Sequence, residues 1–311
     1  MTAAHVSEPV SEVKLARNTL RPHRPWTPYV FLLPALLILG VFVLWAFAQV
    51  AYLSFTRVDL FGDGTLLSRA EWVGLENYER VLGGGRFWWA LGNSFIYLLV
   101  TPAIVAIALL AAMTVHSGLR GTGPWLRVLL FLPVVTPTIV AAVAWRVLFT
   151  EEGGLLNDGL ETIGVDGIPW LTGWPWVLVT AMVVTLWKGF GYYMMIFLAG
   201  LMAVPRELEE AAGIDGAGRW GIFRHVTLPS LRPVLVLVFV ISSIGALKVF
   251  DELWIIARGA PPESQTVVPL IYETAFDGGS FGAACATGVV LFVVLLAFSL
   301  VNLRLGREEE E

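Results

Sequence analysis

The sequence is short of the residues that build redox, metal and nucleic-acid sites. It holds one cysteine, Cys285, in 311 residues, so no disulfide can close within it and no cysteine cluster can bind a metal. Flanked by Ala and Gly in an apolar run, that thiol reads as a small packed side chain. The four histidines, at 5, 23, 116 and 225, show no ligand spacing. Charged residues make up 14% of the chain, against about 25% in globular proteins. The net charge is −5 and no basic block occurs, which argues against nucleic acid as a partner. No G-x-x-x-x-G-K-S/T run is present to cradle a nucleoside triphosphate. No Ser/His/Asp, paired-carboxylate or His-ligand constellation stands out, so the chain does not read as an enzyme.

What the sequence has in abundance is apolar. It is 57% hydrophobic with a mean hydropathy of +0.74. A soluble fold of this length could not hide so much apolar surface, so its solvent is a bilayer. A bilayer-spanning helix needs about 20 apolar residues. Six candidates satisfy that, at 29–55, 88–115, 125–148, 174–203, 233–256 and 281–303. Prolines 102, 133 and 137 fall within two of them, as membrane helices tolerate. The expected fold class is all-α integral membrane with six transmembrane helices. The run 29–55 is too long for a secretory signal core and reads as an uncleaved anchor. The expected domains are a polar cytoplasmic tail at 1–28, a transmembrane domain at 29–304 and an acidic cytoplasmic tail at 305–311.

Lys and Arg set the orientation. With both termini inside, the inner segments carry 12 Lys/Arg and the outer ones 5. The outer loop EEGGLLNDGLETIGVDG, with five carboxylates and no base, agrees. This places the protein in the cell membrane, multi-pass, with both termini cytoplasmic, and puts residues 204–233 on the cytoplasmic side.

That segment interrupts the apolar text with RELEEAAGIDGAGRWGIFRHVTLPSLRP. Pro205 suits the start of a helix, and Glu207, Glu209 and Glu210 complement its dipole. Ala211 and Ala212 continue it with almost no side chain. Gly213 and Gly216 permit a tight turn. A second short helix is expected from Ala217, with Trp220, Phe223 and Val226 or Thr227 on one apolar stripe. Arg219 and Arg224 lie off that stripe, and Pro229 and Pro233 end it. The charges balance, so anionic lipid is not the target. An aromatic knob of this kind suits a groove on another protein; the alternative is a loop packed under its own bundle.

The run Glu210-Ala211-Ala212-x-x-Asp215-Gly216-Ala217, followed by Phe223, Val226, Leu228, Pro229 and Pro233, resembles the EAA loop of ABC-importer permease subunits. The wider text is similar to the carbohydrate-uptake branch, the maltose and glycerol-3-phosphate type. Trp72-Val73-Gly74-Leu75-Glu76-Asn77-Tyr78 matches one of its motifs, as do Trp187-Lys188-Gly189 and Val249-Phe250-Asp251-Glu252. Tyr272-x-x-Ala275-Phe276 with Phe281-Gly282-x-Ala284 matches another. The text departs from the branch at Ala257-Arg258-Gly259-Ala260-Pro261-Pro262.

The resemblance implies the type I ABC importer permease fold. It also implies several partners: a second homologous permease, an ATP-binding cassette ATPase dimer and an extracytoplasmic solute-binding protein, all working within membrane lipid. ATP and magnesium would belong to the partner ATPase, and this chain would bind no cofactor. The coupling residues it implies are Glu210, Ala211, Ala212, Asp215, Gly216, Arg219, Trp220, Phe223 and Pro229. Glu210 would touch the ATPase or pair within the loop with Arg219 or Arg224.

Ionisable groups inside a span are expensive and mark a cavity or a pair. Lys188 lies about 14 residues into the fourth span, near the midplane at 1.5 Å per residue. Trp187, Tyr192 and Tyr193 surround it with aromatic faces and polar tips suited to sugars. Lys188 either lines the substrate path or holds carbonyls of a neighbouring helix. Gly189-Phe190-Gly191 could break the helix there. Asp251 and Asn93 complete the candidate path, although Lys248 is expected to pair with Asp251 or Glu252. Arg146 is expected to snorkel to the interface. The expected function is ATP-driven import of a sugar by alternating access, with glycerol-3-phosphate or a glycerophosphodiester as the alternative cargo. An ion-coupled secondary transporter would instead need internal repeats and midplane carboxylates.

Overall fold

A computed structural model describes residues 26–58, 65–117, 123–258 and 260–308. Of the expected tails at 1–28 and 305–311, residues 1–25 and 309–311 lie outside the described residues, and 305–308 continue the last helix. The chain divides into two units, up to Gln49 and from Val50 onward. In the first, α1 (Thr27–Leu39) carries Pro34 and passes through a π turn (Gly40–Leu44) into α2 (Trp45–Leu53), which ends in the second unit. Apart from Gly40, every side chain from Tyr29 to Leu44 is exposed. A helix apolar on all sides and covered on none is stable only in lipid.

The second unit opens on a small ladder, the one departure from an all-helical fold among the described residues. β1 (Thr56–Arg57) pairs antiparallel with β2 (Glu71–Trp72), Thr56 opposite Trp72. The motif Trp72–Tyr78 explains itself here. Asn77, buried at the start of α3 (Glu76–Gly83), donates from Nδ2 to the carbonyls of Ser54 and Thr56, both at 2.9 Å. The Tyr78 and Ser54 hydroxyls share a hydrogen bond of 2.7 Å, and Arg57 meets both Glu76 oxygens at 2.8 Å. Gly74 turns the chain at φ +63°, where a Cβ would be strained. A Cβ on Gly282 would fall 2.0 Å from the Thr56 carbonyl oxygen, so the matching glycine lets this ladder rest on the last helix.

Beyond it, α4 (Gly85–Tyr97) and α5 (Val100–His116) form one span with a hitch at Leu98–Leu99. The expected span at 125–148 is bent far beyond the tolerated proline kink. α6 (Gly123–Val135) and α7 (Thr138–Leu148) meet at 91°. Pro137 has no N–H to continue the ladder and disfavours helical backbone at Thr136, so the helix stops there. A short α8 (Leu155–Thr162) leads to α9 (Trp176–Ala203), a single helix of 28 residues. The charged segment follows as α10 (Arg206–Ile214), α11 (Arg219–Ile222), a π turn (Phe223–Thr227) and α12 (Leu228–Ser230). The fifth span is α13 (Arg232–Leu247), broken at Lys248–Phe250 before α14 (Asp251–Ile256). Next come α15 (Val267–Tyr272), a π turn (Glu273–Asp277) and α16 (Phe281–Glu308), which passes its expected end at 303. Among the described residues, five stretches are long and apolar enough to cross a bilayer, and the bent α6–α7 pair is the sixth if it counts as one span.

Two buried clusters stack along α9. One joins Tyr97 and Ile104 to Leu178, Val184, Leu253 and Ile256. The other joins Ala108 and Ala112 to Phe197, Leu201, Leu231 and Val238. Small residues let these helices approach without a hydrophobic drive from water. A Cβ on Gly200 would already sit 2.9 Å from Val234 Cγ2.

Asn77→Ala strands two carbonyls and should cost about 1–3 kcal/mol. Gly282→Ala forces helix and ladder apart at a cost of the same order, about 1–3 kcal/mol. Both should lower the thermal midpoint of the purified protein followed by tryptophan fluorescence. Gly288→Ala, which meets open space, should leave that midpoint unchanged or raise it.

Candidate functional site

The breaks in the third and fifth spans border one cleft. A cavity of about 380 Å³ is lined by Thr185, Lys188, Tyr192 and Tyr193 of α9, by Ser242 and Gly245 of α13, and by Lys248–Glu252 at the break before α14. Lys188 Nζ donates to Thr138 Oγ1, on the first residue of α7 after the bend. Thr185 Oγ1 and the Tyr97 hydroxyl lie 2.7 Å apart and share a hydrogen bond. The rings of Tyr192 and Tyr193 meet edge to face at 5.1 Å and 75°. The expected bond from Lys188 to carbonyls of a neighbouring helix is corrected: its partner is the Thr138 hydroxyl. Lys188 holds a neighbouring helix and it faces the cavity.

Gly189-Phe190-Gly191 does not break α9. A Cβ on Gly191 would lie 2.5 Å from the Leu130 carbonyl oxygen, so that glycine admits α6. The expected Lys248 pair with Asp251 or Glu252 is absent among the described residues, where the ion pairs are Arg57–Glu76, Arg80–Glu76 and Arg86–Glu273. Lys248 and Asp251 are exposed. Arg146 does not simply snorkel. It donates to the carbonyls of Ile255 at 2.8 Å and Arg258 at 2.9 Å, capping the end of α14 with charge-assisted bonds.

Two expected path residues lie elsewhere. Trp187 is absent from the cavity lining and packs edge-on against Trp145 at 5.7 Å. Asn93 is buried and fully engaged. Its Nδ2 donates to the carbonyls of Glu263 at 2.5 Å and Gln265 at 2.9 Å, and its Oδ1 accepts from Trp174 Nε1 at 3.2 Å. It fastens α4 to the connection before α15. Sequence reasoning missed Thr138, Thr185 and Ser242. Each is a hydroxyl within an otherwise apolar run, and that is the signal that could have found them.

The charged segment lies at the other end of α9 and α13. Pro205 precedes α10 in extended backbone, with Glu207 and Glu209 in the first turn. Gly216 takes φ +83°, and Ala217 N–H returns to the Ala212 carbonyl at 2.9 Å, closing the elbow. The second helix starts at Arg219 rather than Ala217 and lasts four residues before the π turn. Thr227 Oγ1 donates to Glu209 Oε1 at 3.1 Å and ties the arms. Trp220 and Phe223 lie 5.4 Å apart by ring centroid. Phe223 packs inward beside the core cluster of Leu231 and Val238, whereas Trp220 is 70% exposed. Ile214 stands out further, at 86%. Glu210, Ala211, Asp215, Arg219 and Pro229 are exposed and Ala212 is half-buried. Among the described residues Glu210 has no ion pair with Arg219 or Arg224.

A sequence profile described as "Binding-protein-dependent transport system inner membrane component" matches residues 104–307, from α5 through α16. The chain belongs to this family of ABC transporter permeases. The permease is 33% identical over 281 residues to the trehalose/maltose transport system permease protein MalF of Thermococcus litoralis, spanning 90% of this chain and 93% of that one. It is 32% identical to the lactose transport system permease protein LacF of Rhizobium radiobacter, over 91% and 95% of the two chains. A solved bacterial ABC transporter "involved in the import of the acidic polysaccharide alginate" shares the fold, with a TM-score of 0.77 at 22% identity over 91% of this chain and 96% of that one. The fold is that of the type I importer permeases.

One further polar site holds the permease together between α15 and α16. Glu273 accepts from Arg86 Nη2 at 2.9 Å and from Gln265 Nε2 at 2.7 Å. Partial burial pushes its carboxyl pKa up. The hydrogen bonds from Arg86 and Gln265 and the Arg86 charge outweigh that and hold it below the usual carboxylate range. A depressed folded pKa contributes stability that is fully present above the unfolded value, about 4.3, and is lost as pH falls through the folded one. The gap in thermal midpoint between wild type and Glu273→Gln should therefore stay constant from pH 7 to about pH 5 and close below about pH 4.3.

Proposed function

We propose that this permease conducts a sugar across the membrane as one of two homologous permease subunits. In this reading an ATPase dimer drives it and an extracytoplasmic binding protein supplies it. Relatives named for trehalose/maltose, arabino-oligosaccharides and lactose support the cargo class. A solved alginate transporter in complex with a pentasaccharide-bound periplasmic protein supports the binding protein. The observation that carries the reading is the exposure of Trp220 and Ile214 in the charged segment that follows the helix lining the cleft. Lys188 and Ala203 are about 22 Å apart along α9 at 1.5 Å per residue.

Movement of the knob therefore reaches the cleft through one unbroken helix. ATP-driven closure of the ATPases draws the charged loops together and opens the cleft outward, where the binding protein releases its sugar. Hydrolysis and reopening turn the cleft to the cytoplasm. Nucleotide favours each state through differential binding at the partner, where ATP and magnesium sit. The Lys/Arg bias puts the charged loop and both termini on the cytoplasmic side.

Within the cleft, Tyr192 and Tyr193 offer faces to sugar C–H surfaces, and Thr185, Ser242 and Lys188 offer donors to hydroxyls. Glycerol-3-phosphate or its diesters are the second reading, carried by Lys188 and Lys248. Asp251 lines the same cavity, and a carboxylate there disfavours a phosphate.

Purification in mild detergent should recover a second permease and an ATPase with this chain. In proteoliposomes of that complex, Trp220→Ala should cut sugar uptake more than tenfold, as loss of a buried aromatic anchor does. ATP turnover should continue, uncoupled. Gly216→Pro should do the same. A lone chain transporting at full rate would reject the reading.

A further inference from the structure

We propose a second carbohydrate-binding site in this permease, formed by α14, α15 and the connection between them, through which cargo passes on its way to or from the Lys188 cleft. It rests on the sugar reading above. A cavity of about 590 Å³ lies there, large enough for a saccharide of one or two rings. It is separate from the cleft, but the two share a wall. Phe250–Glu252 line the inner cavity, and Leu253, Trp254 and Ala257, the next turn of the same short helix, line this one.

Its floor is aromatic and built. Trp254 meets Tyr272 edge to face at 4.7 Å, Phe250 stacks on Trp254 at 5.6 Å, and Phe276 lies 4.8 Å from Tyr272. Tyr272 remains 38% exposed, so its ring is available to a ligand. Rings locked by one another keep their faces in place and lose little entropy when a C–H surface lands on them.

The rim carries hydroxyl-binding groups of both signs. Among the described residues, the Arg258 guanidinium and the Asp277 carboxylate line the cavity without a side-chain partner. Gln265, also in the lining, has its Oε1 buried and unpartnered, although its Nε2 is committed to Glu273. One aromatic platform, the Arg258 donor and the Asp277 and Glu273 acceptors complement the C–H faces and hydroxyls of a neutral polyol. An anion would meet Asp277 and Glu273, and an apolar ligand would leave the rim unpaired.

The site also lies at the end of α13 and α14 away from the charged loop, where cargo enters or leaves opposite the ATPases.

The test uses the whole complex in lipid nanodiscs, carrying Tyr192→Ala to weaken the inner cleft. Equilibrium binding of radiolabelled trehalose, maltose, lactose and an arabino-oligosaccharide is measured without binding protein or nucleotide. At least one sugar should bind. Adding Tyr272→Ala or Asp277→Asn should weaken it about tenfold, the scale of one lost aromatic contact. In the otherwise wild-type complex, the same changes should raise the KM for uptake at unchanged maximal rate. Asp277→Asn alters an exposed side chain, so it serves where Tyr272→Ala misfolds. If the wild-type complex imports a sugar but both variants bind and transport like their parents, this site is rejected and the sugar reading stands. If the wild type neither binds nor imports any sugar of the panel, the sugar reading falls and takes this site with it.

Discussion

In hydrocarbon no water completes a broken hydrogen bond, so a spanning helix can stop only where the protein itself satisfies the freed groups. That constraint organises this molecule. Among the described residues, helices stop within a span at Thr136–Pro137 and at Lys248–Phe250, besides the hitch at Leu98–Leu99, and these first two breaks border the same cavity. Side chains hold the breaks: Lys188 reaches Thr138 past the first, and Arg146 caps the short helix after the second. Both cations that look misplaced in an apolar text bond across to a neighbouring segment of the protein.

The cleft and the charged loop are joined by α9, which stays intact through both glycines. A continuous helix transmits displacement along its axis with little loss, whereas a helix broken at Gly189 would absorb it. Gly191 and Gly200 are spent on close approach of α6 and α13. They bind the rod to the helices whose breaks border the cavity. At the far end, Phe223 packs into the bundle while Trp220 and Ile214 stay outside. That division leaves one surface rooted and one free.

Much of this was legible in the sequence. Hydropathy gave the spans, because bilayer thickness fixes their length. Pro205, Gly216 and the acidic first turn gave the charged loop, because each acts locally on backbone conformation or dipole. Illegible features depend on what lies across an interface. A glycine that breaks a helix and one that admits a neighbour read alike, so Gly191 was misread. Asn93 looked like a ligand group, and only the fold brings the Glu263 and Gln265 carbonyls to it. The Trp72–Tyr78 text carries family resemblance for an architectural reason: Asn77 and Gly282 lock the ladder to α16. Lys248 and Asp251, three apart, would pair on a continuous helix, but the backbone breaks between them.

The two breaks should enclose a water-filled cleft rather than a lipid-facing seam. Single cysteines placed in a Cys285→Ala background test it directly, in membranes containing the assembled transporter. A charged thiol reagent that does not enter lipid should label Tyr192→Cys and Gly245→Cys and leave Val128→Cys, on the exposed apolar face of α6, unlabelled. Equal silence at all three positions, or labelling at Val128→Cys alone, would contradict the account.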